Sequence, residues 1–397
     1  MKPTGPIPPY FTAPGPLAIA GRAAEDWAAD RGTPLFVYDQ AIVADRIATL
    51  RAALPPAVEI HYAIKANPYA PLLAAMAPLV GGLDVASAGE LDMALAVKPA
   101  AHISFAGPGK RDAELEAAIR VGATLNLESE GEATRAVAIA DRLGITPRLA
   151  VRVNPSFELK GSGMKMGGRP SPFGIDEARV PALVRRLIAA GADWRGFHIF
   201  AGSQALDTAA IIETQRATVH LARDLADRAG AMPPLVNLGG GFGVPYFAGD
   251  TPVDVTAIGA ALGEVLEPGC AYAIELGRWL VAEAGVYLTR VVDRKDSGGE
   301  TFLVVDGGLN HQLAATGNFG TVVRRNYPVM LARGGEPTET VSIVGPLCTP
   351  LDRLADRIAF PRADVGDVVA LFLAGAYGAT ASPARFLGHP DAQEVLA

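Results

Sequence analysis

The sequence predicts an α/β fold, a TIM-like (β/α)8 barrel followed by a mostly-β domain, and three observations carry that prediction. Strand-like runs recur at 59–65, 82–87, 103–107, 124–128, 149–154, 194–200, 236–241 and 272–278. Between most of them lie Ala/Leu-rich segments with helical spacing, such as 70–79, 112–121 and 214–229. Beyond about 281 the rhythm stops, and short strand candidates follow at 287–292, 301–306, 340–344 and 368–374 without long helices. Eight strands alternating with helices is the count of a closed barrel; a doubly wound open sheet is the competing arrangement.

At 397 residues, half of them hydrophobic, the chain is long enough for two domains with a large core. The run 34–39 reads as a first strand that can pair into the β domain. The expected division is a barrel over 35–280 and a discontinuous β domain made of 1–34 and 281–397. The net charge of −7 is dispersed, with no basic stripe for nucleic acid, so a small molecule or a protein is the expected partner. The start lacks the apolar core of a signal peptide and no stretch approaches the ~20 apolar residues of a membrane span, so a cytoplasmic protein is expected. Cys270 and Cys348 cannot make a disulfide framework, and neither belongs to a metal-spaced cluster.

Barrel enzymes place their chemistry at the C-terminal ends of the strands, and here those ends are polar. Lys65 closes the first run, before Asn67-Pro68. An amine held against apolar neighbours loses its proton more easily, as a Schiff-base nucleophile requires, whereas a strand-end lysine also reads as one that snorkels to solvent. Asp84 and Ser87 follow on the second strand, Arg152 and Asn154 on the fifth, His198 and then Ser203 on the sixth, and Glu275 and Arg278 on the eighth. After the seventh strand the run Gly239-Gly240-Gly241 lets backbone N–H groups approach an anion, and a helix start behind it would add a favourable dipole. Arg278 at the next strand end strengthens a phosphate reading. Glu275 suits an acid that holds a proton on a nitrogen heterocycle, or else a salt bridge to Arg278. His198 lacks the neighbours of a metal ligand and suits a base or a ring-stacking partner. In the second domain, Gly345-Pro346 forces a turn that would display Cys348, and Tyr377 follows an apolar strand at a small-residue turn, where its hydroxyl could reach a phosphate. The glycine-rich loop 158–170 reads as a mobile lid or as a solvated connector.

Seven motifs occur in one order: Tyr62-Ala63-Ile64-Lys65-Ala66-Asn67, Asp84-Val85-Ala86-Ser87-Ala88-Gly89-Glu90, His198 with Gly202-Ser203-Gln204, Gly239-Gly240-Gly241-Phe242-Gly243, Glu275-Leu276-Gly277-Arg278, Gly345-Pro346-Leu347-Cys348 and Gly375-Ala376-Tyr377. Together they resemble the fold-type III pyridoxal-phosphate decarboxylases, the ornithine/diaminopimelate/arginine decarboxylase family with its alanine racemase-like barrel. More narrowly, the chain resembles the bacterial branch found with exosortase A and exopolysaccharide loci. The resemblance implies pyridoxal 5′-phosphate as cofactor, with Lys65 as the Schiff-base lysine, His198 stacked on the pyridine ring and Glu275 paired with the ring nitrogen. It implies that Ser203, Gly239 to Gly241, Arg278 and Tyr377 hold the phosphate, and that Asp84 and Arg152 lie near the lysine. It also implies a homodimer in which Cys348 enters from the partner subunit and returns a proton to Cα.

The departures concern the substrate. Where ornithine and diaminopimelate enzymes have an acidic residue after the cysteine, this chain has Thr349 and Pro350, with Asp352 as a possible substitute for holding a distal ammonium. No arginine follows the motif Asp306-Gly307-Gly308 to clamp a distal carboxylate, and Phe200-Ala201 lengthens the His198 motif by two residues. Arg324 and Arg325 could meet an acidic group on a substrate, or form an exposed basic pair. The expectation is decarboxylation of an amino acid other than diaminopimelate or ornithine, free or linked to a carrier protein. The alternatives are a racemase or epimerase with the same cofactor, which Glu275 and Cys348 disfavour, and a catalytically silent homologue, against which the intact Lys65, Glu275 and Cys348 speak. A barrel enzyme using the glycine run for a sugar phosphate would leave Lys65, Cys348 and the β domain unexplained.

Overall fold

The computed structural model describes residues 1–397 apart from 162, 166, 169 and 318–324, and the side chains of residues 164 and 165 are also left undescribed. The chain divides into two compact units. One comprises Ile47–Gly243 and Val253–Gly277, the other Met1–Arg46, Val244–Pro252 and Arg278–Ala397.

The first unit is a closed barrel of eight parallel strands: β1 Val58–Ala63, β2 Gly82–Val85, β3 Ile103–Phe105, β4 Thr124–Leu127, β5 Arg148–Asn154, β6 Asp193–Ile199, β7 Leu235–Gly240 and β8 Ala271–Leu276. Each strand pairs with the next, and β8 pairs back onto β1, which removes the open-sheet alternative. Each expected run lies within two residues of an observed strand, the expected ends being too long because the polar end residues leave the ladder at the rim. Helices wrap the strands and start where a side chain can cap them. Asp207 accepts from the Ala209 and Ala210 amides, so the helix Thr208–Ala229 begins six residues before the stretch expected at 214. Its buried Ile211, Gln215, Thr218, Val219, Ala222 and Leu225 recur at helical spacing along one face, and Gly230 closes it in the left-handed conformation. Ser87 and Ser129 cap the helices after β2 and β4 in the same way.

The strand registers sort side chains into two sets. His61 pairs with Glu275, Asp84 with Ser104, Asn126 with Ala150, Arg152 with His198 and His198 with Asn237, so these residues share one face around the ring. The alternate positions, among them Tyr62, Leu83, Phe105, Leu125, Val151, Ile199, Val236 and Ile274, are buried and apolar. The apolar layer thus lies between strands and helices, and the barrel interior is lined by buried polar groups where such barrels are ordinarily filled by branched aliphatics. Buried polar groups persist only when paired or reserved for a ligand, so this interior points to chemistry.

The second unit is built on a sheet whose longest member, Gly285–Ser297, pairs antiparallel with Glu300–Val305 and with Val368–Leu371. Leu35–Tyr38, buried along its whole length, pairs antiparallel with Gly285–Leu288 and parallel with Gln393–Leu396. The expected boundaries at 35 and 280 are therefore corrected. Leu35–Tyr38 belongs to the β unit because it is flanked by strands on both edges, and Val244–Pro252, immediately after the glycine run, belongs there too. The strands Val329–Leu331 and Arg353–Phe360 extend the unit beyond the expected runs. Among the described residues no helix is long and apolar enough to cross a membrane.

Candidate active site

Lys65 lies in a 3-10 turn, Ile64–Ala66, just past the end of β1. Its ammonium is 3.9 Å from Glu275 Oε1 and 5.8 Å from the centre of the Phe200 ring, with 48% of the side chain exposed. The expected apolar desolvation of this lysine is not what the structure has; a carboxylate and an aromatic face flank a half-open amine. His198 and Glu275 are buried at the rim, with His198 Nε2 2.9 Å from Glu275 Oε2. That approach is out of hydrogen-bond alignment, and among the described residues both His198 ring nitrogens and Glu275 Oε2 are left without a hydrogen-bond partner. Burial alone would push the Glu275 carboxyl up, but the His198 contact and the charges of His198, Lys65 and Arg152 bring it down to about 2. Glu275 is thus a fixed anion facing a lysine.

Arg152, in register with His198, is held by Glu128 at 2.9 Å and lies 5.0 Å over the Phe173 ring. Glu128 also accepts from the Gly107 and Gly174 amides at 2.5 and 3.1 Å, so one buried carboxylate ties three loops of the rim around the arginine. Asp84 is buried 3.5 Å from His61. Ser203 sits in a two-residue strand, Gly202–Ser203, that pairs antiparallel with Met164–Lys165. The 158–170 loop is therefore tied to the strand carrying Ser203, and its residues 162, 166 and 169 lie outside the described residues.

The glycine run owes its composition first to packing. A Cβ on Gly239, Gly240 or Gly241 would come within 2.6, 1.9 and 2.2 Å of the carbonyl oxygens of Ile199, Glu275 and Gly202 respectively. Gly239 and Gly241 also take positive φ, and the Gly239 amide donates to Asn237 Oδ1. No helix begins directly behind the run; the next one is Val255–Gly263, so the expected dipole contribution is absent.

In the second unit, Arg278 does not need Glu275 as a partner: it donates to the Tyr246 hydroxyl at 2.7 Å and stacks 4.7 Å over the Tyr377 ring. Among the described residues its buried Nε has no hydrogen-bond partner. Burial would lower this guanidinium, yet Tyr246 and Tyr377 hold it above its ordinary value. Tyr377 has a φ of +55°, a left-handed conformation that an aromatic residue adopts only when its surroundings impose it.

Cys348 is exposed in the turn after Glu339–Val344, with Thr349 beside it half-buried. Asp352 is corrected as a substrate ligand. It is buried, and its two oxygens accept from the Leu309 and Leu347 amides at 2.6 and 2.9 Å, while Gly308 and Gly345 leave the room its carboxylate fills. Burial pushes its carboxyl up. Asp352→Ala should leave two buried amides unsatisfied and cost roughly 2–4 kcal/mol, read as a lower urea midpoint of the full chain; an unchanged midpoint would contradict this role. Arg324 lies outside the described residues, whereas Arg325 stacks 3.8 Å over Phe247.

In the barrel, a half-open amine, an ionised carboxylate and a buried imidazole fit a pyridine aldehyde; in the second unit, taken by itself, the buried Arg278 N–H fits an anionic group. Residues 40–290 match the pyridoxal binding domain of the pyridoxal-dependent decarboxylases. The chain belongs to that family. It is an enzyme whose cofactor is pyridoxal 5′-phosphate and whose reaction is the decarboxylation of an amino acid. It is 38% identical over 379 residues to the L-glutamyl-[BtrI acyl-carrier protein] decarboxylase of Niallia circulans, covering 92% of this chain and 88% of that one. It is 30% identical to the 2-[(L-alanin-3-ylcarbamoyl)methyl]-2-hydroxybutanedioate decarboxylase of Staphylococcus aureus, covering 91% and 93%. The crystal structure of a diaminopimelate decarboxylase variant from Helicobacter pylori complexed with L-lysine superposes with a TM-score of 0.85 at 26% identity, covering 94% and 93%.

Two contributors had no role assigned from the sequence. Tyr246 has no motif of its own, and Glu128 is legible only as part of the polar end Asn126-Leu127-Glu128-Ser129 of the fourth strand. Phe200, noted only as a departure in motif length, packs against both Lys65 and His198, at 5.8 and 6.5 Å. Its position just past a strand end was the signal available.

Proposed function

We propose that this decarboxylase acts on an amino acid whose distal end carries no free charge, as in an aminoacyl group linked to a carrier protein. One observation carries the reading: the acidic position after Cys348 is Thr349, and the nearby Asp352 has both oxygens committed to backbone amides. Among the described residues Asp352 is thus buried and already bonded, offering a distal ammonium no exposed carboxylate, and the similarity to a decarboxylase named for a carrier-linked glutamyl group supports the same view.

When bound, the cofactor supplies a ring that accepts the electrons left behind as carbon dioxide departs. Lys65 would carry it on the side-chain amine and yield it to the substrate amine. Glu275, kept ionised by His198, Lys65 and Arg152, would hold a proton on the ring nitrogen and so keep the ring electron-poor. His198 would cover the ring face. Arg278 Nε and the Tyr377 hydroxyl would bind the phosphate, with Ser203 and the backbone at Gly240 and Gly241 completing it; Asp84 would contribute charge from β2. Cys348 of the partner subunit would return a proton to Cα through Sγ, in a homodimer with shared sites.

The test is carbon dioxide release, followed by mass spectrometry, from a panel of amino acids offered free and as carrier-protein thioesters. Release from a carrier-linked member at a rate well above its free form supports the reading; equal or faster release from free diaminopimelate or ornithine overturns it. The dimer is tested by complementation. Lys65→Ala and Cys348→Ala are each expected to be nearly inactive, and mixing them should restore roughly a quarter of wild-type activity through random two-fold pairing. No recovery after subunit exchange would place Cys348 outside a shared site.

A further inference from the structure

The polar interior of the barrel holds one pair that the proposed roles leave without a task. His61 sits two residues before the end of β1, its Nδ1 3.5 Å from Asp84 Oδ2 and its Nε2 3.5 Å from Glu59 Oε2. The His61 and Asp84 side chains are only 8% and 5% exposed. The strand beside it is bare at the matching position: His61 pairs with Gly82, where a Cβ would come 2.6–2.8 Å from three atoms of the imidazole. On its other side, His61 pairs in register with Glu275. A rigid imidazole thus occupies the space between the strand that carries Asp84 and the strand that carries Glu275.

Asp84 and Glu275 are both buried; burial first, and then the charge of Glu275, holds the Asp84 carboxyl above its ordinary value, while the contact with His61 pulls it back down. Two carboxylates in one low-dielectric space tend to share a single proton unless a cation separates their charges. Glu275 has His198 and Lys65 within contact distance. His61 is the base in contact with Asp84 that can supply such a cation.

We propose that His61 is a positioning residue of this active site, the built-in counter-ion that lets Asp84 and Glu275 remain ionised together. The inference rests on the assignment of Glu275 to the ring nitrogen, because a proton taken up by the carboxylate pair would weaken that contact. His61 acts on the cofactor only through these two carboxylates.

The titration of His61 follows from the groups around it. Glu59 faces it on its own strand, Asp84 from β2 and Glu275 from β8. It also lines a cavity of about 350 Å³ at the N-terminal ends of the strands, with His102, Arg148 and Arg195 in the same wall. Burial alone would lower the imidazole, but the contacts to Asp84 and Glu59 override it and raise the pKa to about 9. A raised pKa stabilises the fold fully below the free value of about 6.5 and loses that contribution as pH climbs through about 9. The cavity gives protons a route to His61 from the end of the barrel remote from Lys65.

The experiment is nitrogen-15 NMR of the histidine-labelled full chain, with and without bound cofactor, together with infrared spectroscopy of the carboxyl stretch. His61 is assigned by its loss in His61→Gln or, should that variant not fold, by its through-space contact to Gly82. An imidazolium at His61 that persists through neutral pH and titrates near 9 is expected. In His61→Gln a protonated-carboxyl band should appear at neutral pH and vanish in His61→Gln/Asp84→Asn. In the loaded His61→Gln enzyme the pH midpoint of the cofactor absorption should move by about one unit, tenfold in proton affinity, with kcat lowered and KM changed less than about twofold. A neutral His61 at pH 7, or a His61→Gln protein without the carboxyl band, overturns the proposal. The measurements on the cofactor-free chain stand whether or not Glu275 meets the ring nitrogen, so failure of that assignment shows separately, as an absorption midpoint that does not respond to Glu275→Gln.

Discussion

Lys65→Ala is expected to abolish the visible absorption of the cofactor-loaded protein and to reduce carbon dioxide release on the order of 10⁴-fold or more, as removal of a catalytic nucleophile does. The geometry makes this lysine hard to replace. Lys65 is brought to the rim by a turn fixed between the end of β1 and Asn67, whose amide closes on Ile64 O at 3.0 Å. Its ammonium faces Glu275, and the Phe200 ring restricts the path of the side chain. Lys110, buried in the barrel, is bound to Glu132 at 2.8 Å and to the carbonyls of Gly107 and Asn126, so it has no freedom to substitute. Spectra and single-turnover assays of Lys65→Ala, with wild-type thermal unfolding as a control for folding, check this. A retained absorption band would move the cofactor to another lysine.

The second large effect belongs to Glu275→Gln. The amide has nearly the shape of the carboxylate but no charge, so it can accept from a ring N–H without favouring a proton there. A loss of about 10²–10³ in kcat is expected, the size found when one preorganised electrostatic group is removed from an active site. The cofactor should still load, because Lys65 is untouched. The same change relieves Asp84 of its nearest like charge, so the Asp84 carboxyl should ionise more easily. Absorption spectra across pH and steady-state kinetics separate these outcomes. A variant with wild-type kcat would remove Glu275 from the chemistry.

Much of the barrel was legible because period and composition coincide. Apolar alternation on each strand, Ala/Leu-rich helices and capping residues such as Asp207 and Ser129 all favour the same arrangement. The polar strand ends were legible for the same reason: a charged residue closing an apolar run must leave the ladder. Lys65, Arg152, His198 and Glu275 are all at the barrel rim or on its inner face, where the strand pattern put them. What stayed hidden depends on long-range pairing. Leu35–Tyr38 reads as a strand, but nothing local says that its neighbours are Gly285–Leu288 and Gln393–Leu396. The segment Val244–Pro252 reads as a loop after the glycine run, although its Tyr246 supplies the hydroxyl that orients Arg278.

Residue roles were hard to read where two explanations share one residue type. Gly239 to Gly241 suggested an anion cradle, yet each is first required by the approach of a neighbouring strand's backbone. Asp352 suggested a substrate carboxylate and is instead the acceptor that fixes the turns at Leu309 and Leu347. Neither distinction is visible without knowing which backbone groups are buried beside the residue. The motif around His61 was read only for its lysine, because a histidine inside a strand carries no signal until its neighbour is seen to be a glycine.

The most direct measurement is borohydride reduction of the cofactor-loaded protein followed by peptide mass mapping. The account predicts one modified peptide, bearing the reduced cofactor on Lys65, and none in Lys65→Ala. A cofactor adduct on any other lysine, or no adduct on a protein that still releases carbon dioxide, would contradict it.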